Sequence, residues 1–377
     1  MPPKTHSLLG GSSAHRWIAC PPSARLCETL DEEESSFAAE GSSAHGICEY
    51  RLRKSLGQEV PEEEPRDEWY SEEMSECADD YVNYITDIIT ELKKTGTPIV
   101  MVEQFLDYSK YVEDGYGTGD CVIISANKLK IIDFKYGKGV EVSAYKNEQM
   151  LIYALGAVSQ FEHLYDIEEI EMAIFQPRLH NVSTYEISID DLLKWANEVL
   201  VPRAKLAFEG KGEFCSGEHC RFCKAKAICR ERAKSHMRLA NFNNADPALL
   251  KDDEIEDILD KADTLVSWAN DVKEFALDAA LKGKKWKRYK AVEGRSNRKL
   301  TDEDKAVELI QKEGLDPYER KLISIGEIQK LLGKVKFKEL IEPLITKPPG
   351  KPCLVSRDDK RDELEVRITD FDDVEDY

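Results

Sequence analysis

Asp120, Asp133 and Lys135 are the residues of this 377-residue chain whose types and spacing point most directly to chemistry. Gly117-Thr118-Gly119-Asp120 opens one β-prone run, and Ile131-Ile132-Asp133-Phe134-Lys135 closes the next across a turn at Ala126-Asn127-Lys128. In a hairpin the two aspartates come side by side, and Lys135, two residues after Asp133, projects from the same sheet face. Two carboxylates and a lysine on one face suit metal-assisted phosphodiester hydrolysis. The carboxylates hold Mg²⁺ or Mn²⁺, the metal activates water, and Lys135 orients the nucleophile or offsets phosphate charge.

Other residues fall at helical spacing around this set. His45 and Glu49 are four apart on a predicted helix over 36–56, and His45 can add a nitrogen ligand, which favours Mn²⁺ over Mg²⁺. Gln149 and Tyr153 share a side of a predicted helix over 143–159 and can position a phosphate or the lysine. Glu103 lies in a β-prone run and reads as structural or supporting.

A second group is Cys215, Cys220, Cys223 and Cys229, spaced C-x4-C-x2-C-x5-C. Four thiolates so close suggest ligation of Zn²⁺ or an iron–sulfur cluster, between which spacing does not decide. His219 is a further candidate ligand, whereas Cys27, Cys48, Cys77, Cys121 and Cys353 read as small buried residues.

The set Gly41-Ser42-Ser43-Ala44-His45, Gly119-Asp120, Asp133-Phe134-Lys135 and Gln149-x-x-x-Tyr153 resembles the PD-(D/E)XK nucleases of the RecB type, including the CRISPR-associated iron–sulfur exonucleases. The resemblance implies His45, Asp120 and Asp133 as metal ligands, with a contact from the Phe134 carbonyl. It makes Lys135 the catalytic lysine and Gln149 and Tyr153 an accessory pair. It also implies a [4Fe–4S] cluster on Cys20, Cys220, Cys223 and Cys229, tying the N-terminal segment to the end of the nuclease domain, with Zn²⁺ as the alternative metal. Local spacing alone would put Cys215 in place of Cys20. Asp133 stands where the CRISPR-associated members carry Glu. Three further stretches resemble the phage and prophage proteins grouped as DUF2800: residues 212–229, Gly294-Arg295-Ser296-Asn297, and 347–352 followed by Asp359-Lys360-Arg361. That similarity implies a phage-encoded nuclease from a replication or recombination module.

The elements that must position these residues read as an α/β core, a restriction-endonuclease-like small mixed sheet flanked by helices. Strands are expected at 99–105, 120–125, 129–134, 171–176 and 183–189, with Asp190 capping a helix that runs to about Glu209. Residues 1–237 are expected to form the nuclease domain and 238–377 a mostly helical accessory domain. Eleven acidic residues and one basic between Glu59 and Asp80 read as a solvated loop leading into a helix that is apolar over 81–92.

A formal charge of −20 speaks against wholesale coating of nucleic acid, but a local basic groove is compatible with it. Residues 282–299 hold nine basic residues and one acidic, and Lys284, Lys285, Trp286, Lys287 and Arg288 form a candidate stacking-plus-phosphate surface for DNA that is single-stranded or has free ends. Arg221, Lys224, Lys226, Arg230, Arg232 and Lys234 surround the cysteines as a second basic group. Neither a signal segment nor a run of about 18 apolar residues is present, so a cytoplasmic protein without membrane contact is expected. The expected function is a metal-dependent DNA exonuclease. Two other classes fit the same residues: a non-catalytic DNA-binding or recombination accessory protein, and a zinc-stapled protein-interaction module.

Overall fold

In a computed structural model of the chain, residues 7–30, 36–237, 251–292, 303–312, 318 and 324–345 are described. Contacts divide the chain into two units, Met1–Val292 and Glu293–Tyr377.

The first unit is built on a five-stranded mixed sheet. Strands β1 (Ile99–Asp107), β2 (Tyr116–Ser125) and β3 (Lys128–Phe134) form an antiparallel meander. A helical crossover then carries the chain to β4 (Glu169–Gln176), parallel to β3, and β5 (Asn181–Ser188) returns antiparallel at the edge. β2, β3 and β4 are almost continuously buried, as strands covered on both faces must be.

Two helices cover one face. These are α3 (Ser36–Ser55) and α4 (Glu72–Leu92), which follow the short α1 (Ala14–Ala19) and α2 (Ser23–Glu28). Ile47, Leu52, Tyr81 and Ile85 pack there on Cys121, Ile123, Ile132 and Phe134. α4 starts at Glu72, nine residues before Tyr81, because Ser71 accepts from the Met74 amide and Glu72 and Glu73 favour the positive end of the helix dipole. The acidic run is thus a loop leading into the charged face of a helix, as expected. Both parts are tied to α3, with Arg51 holding Glu64 of the loop at 2.6 Å and Asp79 of α4 at 2.8 Å.

The opposite face is closed by α5 (Glu148–Phe161), in which every residue from Met150 to Val158 is buried. A helix apolar on all sides needs partners on all sides. The sheet supplies one, and the N-terminal segment with α6 (Ile189–Trp195), α7 (Val201–Glu209) and the π-helical turn Ala196–Leu200 between them supplies the rest, through Leu9, Trp17, Leu192, Leu200 and Ala204. α5 begins at an Asn147 cap, not at Ser143, and Lys146 just before it is left-handed (φ 51°). Ser188, not Asp190, caps α6 by accepting from the Asp191 amide. α8 (Arg230–Met237) ends the Cys-rich stretch. α9 (Asp252–Leu281) meets it through Asp271, which pairs with Lys226 at 2.9 Å and Arg232 at 2.6 Å.

In the second unit the described helices are α10 (Glu303–Lys312) and α11 (Ile325–Leu340), the latter with a Ser324/Glu327 capping box and a break at Gly333 (φ 73°). Among the described residues no helix is long and apolar enough to cross a membrane.

Candidate metal centre

The β2–β3 ladder stops one step short of the two aspartates. Cys121↔Ile132 is the last pair, and Asp120 and Asp133 come next, where the strands part. The Phe134 amide turns from its neighbouring strand to the Asp120 carboxylate and donates to Oδ2 at 2.7 Å. The other oxygen, Oδ1, lies 3.4 Å from His45 Nδ1, carried on α3. The His45 ring is fixed edge-on against Phe134, with ring centres 5.3 Å apart.

β1 contributes Glu103. Val102↔Cys121 and Gln104↔Gly119 are paired on either side of it, which leaves Glu103 opposite Asp120. It takes a left-handed conformation (φ 50°), unusual for a residue with a Cβ and a recurrent feature of functional sites. The β1–β2 ribbon turns over at this point. Val102 and Cys121 face α3 and α4, whereas Leu106, four residues after Val102, faces α5. Arg53 secures the turn from α3, donating to the Val102 carbonyl at 2.9 Å while paired with Glu49 at 2.8 Å. Ligand atoms of His45, Glu103 and Asp120 all lie within 4.8 Å of one another, the only such group of three or more His, Cys, Asp or Glu among the described residues.

Asp133 stands beside this group, 3 % exposed. Gln149 Nε2 donates to its Oδ1 at 3.0 Å, and the same amide's Oε1 accepts from Lys135 Nζ at 3.0 Å. Lys135 Nζ is 2.9 Å from Asp133 Oδ2, an ion pair whose alignment leaves that buried oxygen without a well-formed hydrogen bond. Tyr153 is buried one turn beyond Gln149, its ring under Gly11 and Gly117.

The electrostatics follow from packing three carboxylates with two cations. Burial pushes Glu103 up to about 7, and Asp120 adds to the shift while His45 opposes it. Burial works against a charged His45, yet the charge of Asp120 and its hydrogen bond prevail and hold the imidazole up to about 9. Burial also raises Asp133, against the pull of Lys135. For Asp120 burial is outweighed by His45 and the Phe134 amide, so its carboxyl lies below the usual range. Nitrogen and carboxylate donors of this kind suit a divalent cation, while the Asp133 carboxylate is held by Lys135 and Gln149.

The structure thus brings His45, Asp120, Asp133, Lys135 and Gln149 together, and adds Glu103. The sequence alone gives Glu103 a structural or supporting role, not that of a ligand. The available signal was a charge inside the otherwise apolar run Ile99-Val100-Met101-Val102 before Gln104-Phe105-Leu106. Glu49 goes to Arg53 and not to the group.

The cofactor expectation is corrected. The Cys-bearing segments do lie together, but their sulfurs do not converge in threes. Cys27 and Cys223 face each other at 3.6 Å, and the Cys20 sulfur receives the Cys215 amide at 3.5 Å. His219 bonds the Cys215 carbonyl at 3.0 Å, and Cys20 and Cys220 draw its pKa up to about 10. Because these sulfurs do not come together as a ligand set, no cluster of Cys20, Cys220, Cys223 and Cys229, or of Cys215 in place of Cys20, is formed among the described residues. The expected [4Fe–4S] centre and its zinc alternative are set aside; the candidate metal group is His45, Glu103 and Asp120, with Asp133 of the expected ligand set beside it. Cys48, Cys77 and Cys121 are buried, and Cys353 lies outside the described residues.

Of the basic segment, residues 282–292 are described. Trp286 folds back on α9, donating to the Ala276 carbonyl at 2.8 Å, and Lys284 stands 4.1 Å over its indole ring. Lys285, Lys287 and Arg288 are exposed. Residues 294–297, 347–352 and 359–361 lie outside the described residues.

Fold and site together define a mixed α/β protein with a candidate His/Glu/Asp metal-binding triad at a break in its sheet. The chain belongs to the family described as "Protein of unknown function (DUF2800)", whose model matches residues 6–362. A solved structure titled "Crystal structure of SSO0001" is similar at 13% identity, over 58% of this chain and 96% of that one. Its TM-score of 0.23 is too low to carry an argument.

Proposed function

We propose that this protein is a metal-dependent nuclease that hydrolyses phosphodiester bonds in DNA, acting on strands that are single or have free ends. The observation that carries the reading is the meeting of His45, Glu103 and Asp120 beside the Asp133–Lys135–Gln149 chain. The resemblance of His45, Asp120, Asp133-Phe134-Lys135 and Gln149 to the RecB-type motif supports it. A divalent cation held by the triad would supply Lewis-acid stabilisation of phosphate charge and a lowered pKa for water.

The chain's own residues do the rest. Lys135 keeps its proton because Asp133 offsets the cost of burial, so it presents a cation to a phosphate oxygen. Gln149, bonded to both, fixes the lysine's direction. Asp120 stays ionised and holds His45 in register.

The test is cleavage of end-labelled single- and double-stranded DNA with Mn²⁺ or Mg²⁺, wild type beside Lys135→Ala. Cleavage by wild type and its loss by at least about a hundredfold in the variant is the expected result. Absence of wild-type cleavage, with DNA still bound, would overturn the reading in favour of an accessory DNA-binding protein.

A further inference from the structure

Two residues past Glu103, where the ribbon has turned over, a large aromatic ring is left in the open. Phe105 is 45% exposed. Its neighbour Leu106 points into the α5 side of the core, so alternation along β1 directs Phe105 to the α3 side, the side from which His45 enters. Phe105 is not a loose side chain. It stacks on Tyr116 of β2 with ring centres 5.8 Å apart and planes 27° from parallel. The hydroxyl of buried Tyr108 donates to the Tyr116 carbonyl at 2.7 Å and accepts from the Gly11 amide at 2.9 Å, so the strand beneath the pair is anchored to the core.

Resting on the nuclease reading, we infer that Phe105, backed by Tyr116, seats an unpaired nucleobase of the substrate strand beside the His45–Glu103–Asp120 group. Two strand residues span about 7 Å, within reach of a base joined to a phosphate held at the triad. A flat ring accepts any base by its π face, so the seat is indifferent to sequence. It does discriminate between strands, since a base inside a duplex is stacked on both sides and has no face to offer. The seat therefore selects single-stranded substrate at the position next to the cut.

The test separates this inference from the cleavage reading by measuring binding with EDTA present. The probe is a short single-stranded oligonucleotide carrying 2-aminopurine, whose fluorescence falls on stacking. Wild type is expected to quench the probe. Phe105→Ala weakens binding about tenfold and abolishes the quench, and Phe105→Trp restores both. Three results would overturn the seat: no quenching by wild type, wild-type affinity and quench in Phe105→Ala, or equal loss in Phe105→Ala and Phe105→Trp. Quenching that follows the expected pattern without cleavage on adding Mn²⁺ leaves the seat standing and removes the nuclease reading.

Discussion

Glu103 and His45 each keep a proton further up the pH scale than such groups normally do, and both must give it up to ligate a cation. Affinity for Mn²⁺ should therefore climb from pH 6 to pH 9, with one proton displaced from Glu103 near 7 and another from His45 near 9. Titration calorimetry in buffers of different ionisation enthalpy counts those protons. Glu103→Gln should lower Mn²⁺ affinity more than about tenfold, the scale of losing even a residue that only orients a ligand, and should remove the release near pH 7. The same shifts act on stability in the same sense, in two successive pH windows. Glu103 has a raised folded pKa, so the metal-free protein binds its proton more tightly folded than unfolded. That contribution weakens stability as pH rises from about 4.5 to 7. His45, also raised, stabilises the fold fully below about 6.5, and its contribution is lost as pH rises through 9.

At the scale of elements, the close packing of glycines around α5 makes a sharper demand. A Cβ on Gly11 would come within 2.6 Å of the Tyr153 ring, which is hemmed in from the other side by Gly117. Gly11→Ala should destabilise the fold by about 1–3 kcal/mol, read from the midpoint of urea unfolding with unchanged slope. Tyr153, spaced four from Gln149 and hydrogen-bonded to it, thus joins the expected accessory pair to the packing under the N-terminal segment. The hairpin of Asp120 and Asp133 was legible because period-two alternation fixes register and face together. Gln149 was legible because helical spacing follows directly from the strand end. The turning-over of the ribbon at Glu103 was not, because it depends on Arg53, fifty residues earlier, taking the Val102 carbonyl. The pairing of the cysteine sulfurs was equally hidden. Spacing shows how near thiols are along the chain, and says nothing of whether a histidine and a carbonyl reach them first.

Across the whole molecule, the N-terminal segment is part of the core and not an appendage to it. Trp17 and Leu9 are fully buried against the layer that closes α5. Trp17→Ala should cost about 3–5 kcal/mol, and circular dichroism with denaturant should show the loss in the single main transition of the first unit. The partners of this segment come late in the chain: Gly11 meets Tyr108, Arg25 donates to the Phe208 carbonyl at 2.7 Å, and Cys27 lies against Cys223. During synthesis the first thirty residues thus emerge long before anything they pack on, and the sheet can pair while α5 still has one side bare. Domains generally fold as units, and contacts this distant in sequence close slowly. A nascent chain would carry His45, Asp120 and Lys135 well before Phe208 and Cys223 had left the ribosome. On the proposed reading, the residues of the candidate metal centre would be synthesised early but backed by a closed core only once the chain has grown past Phe208 and Cys223.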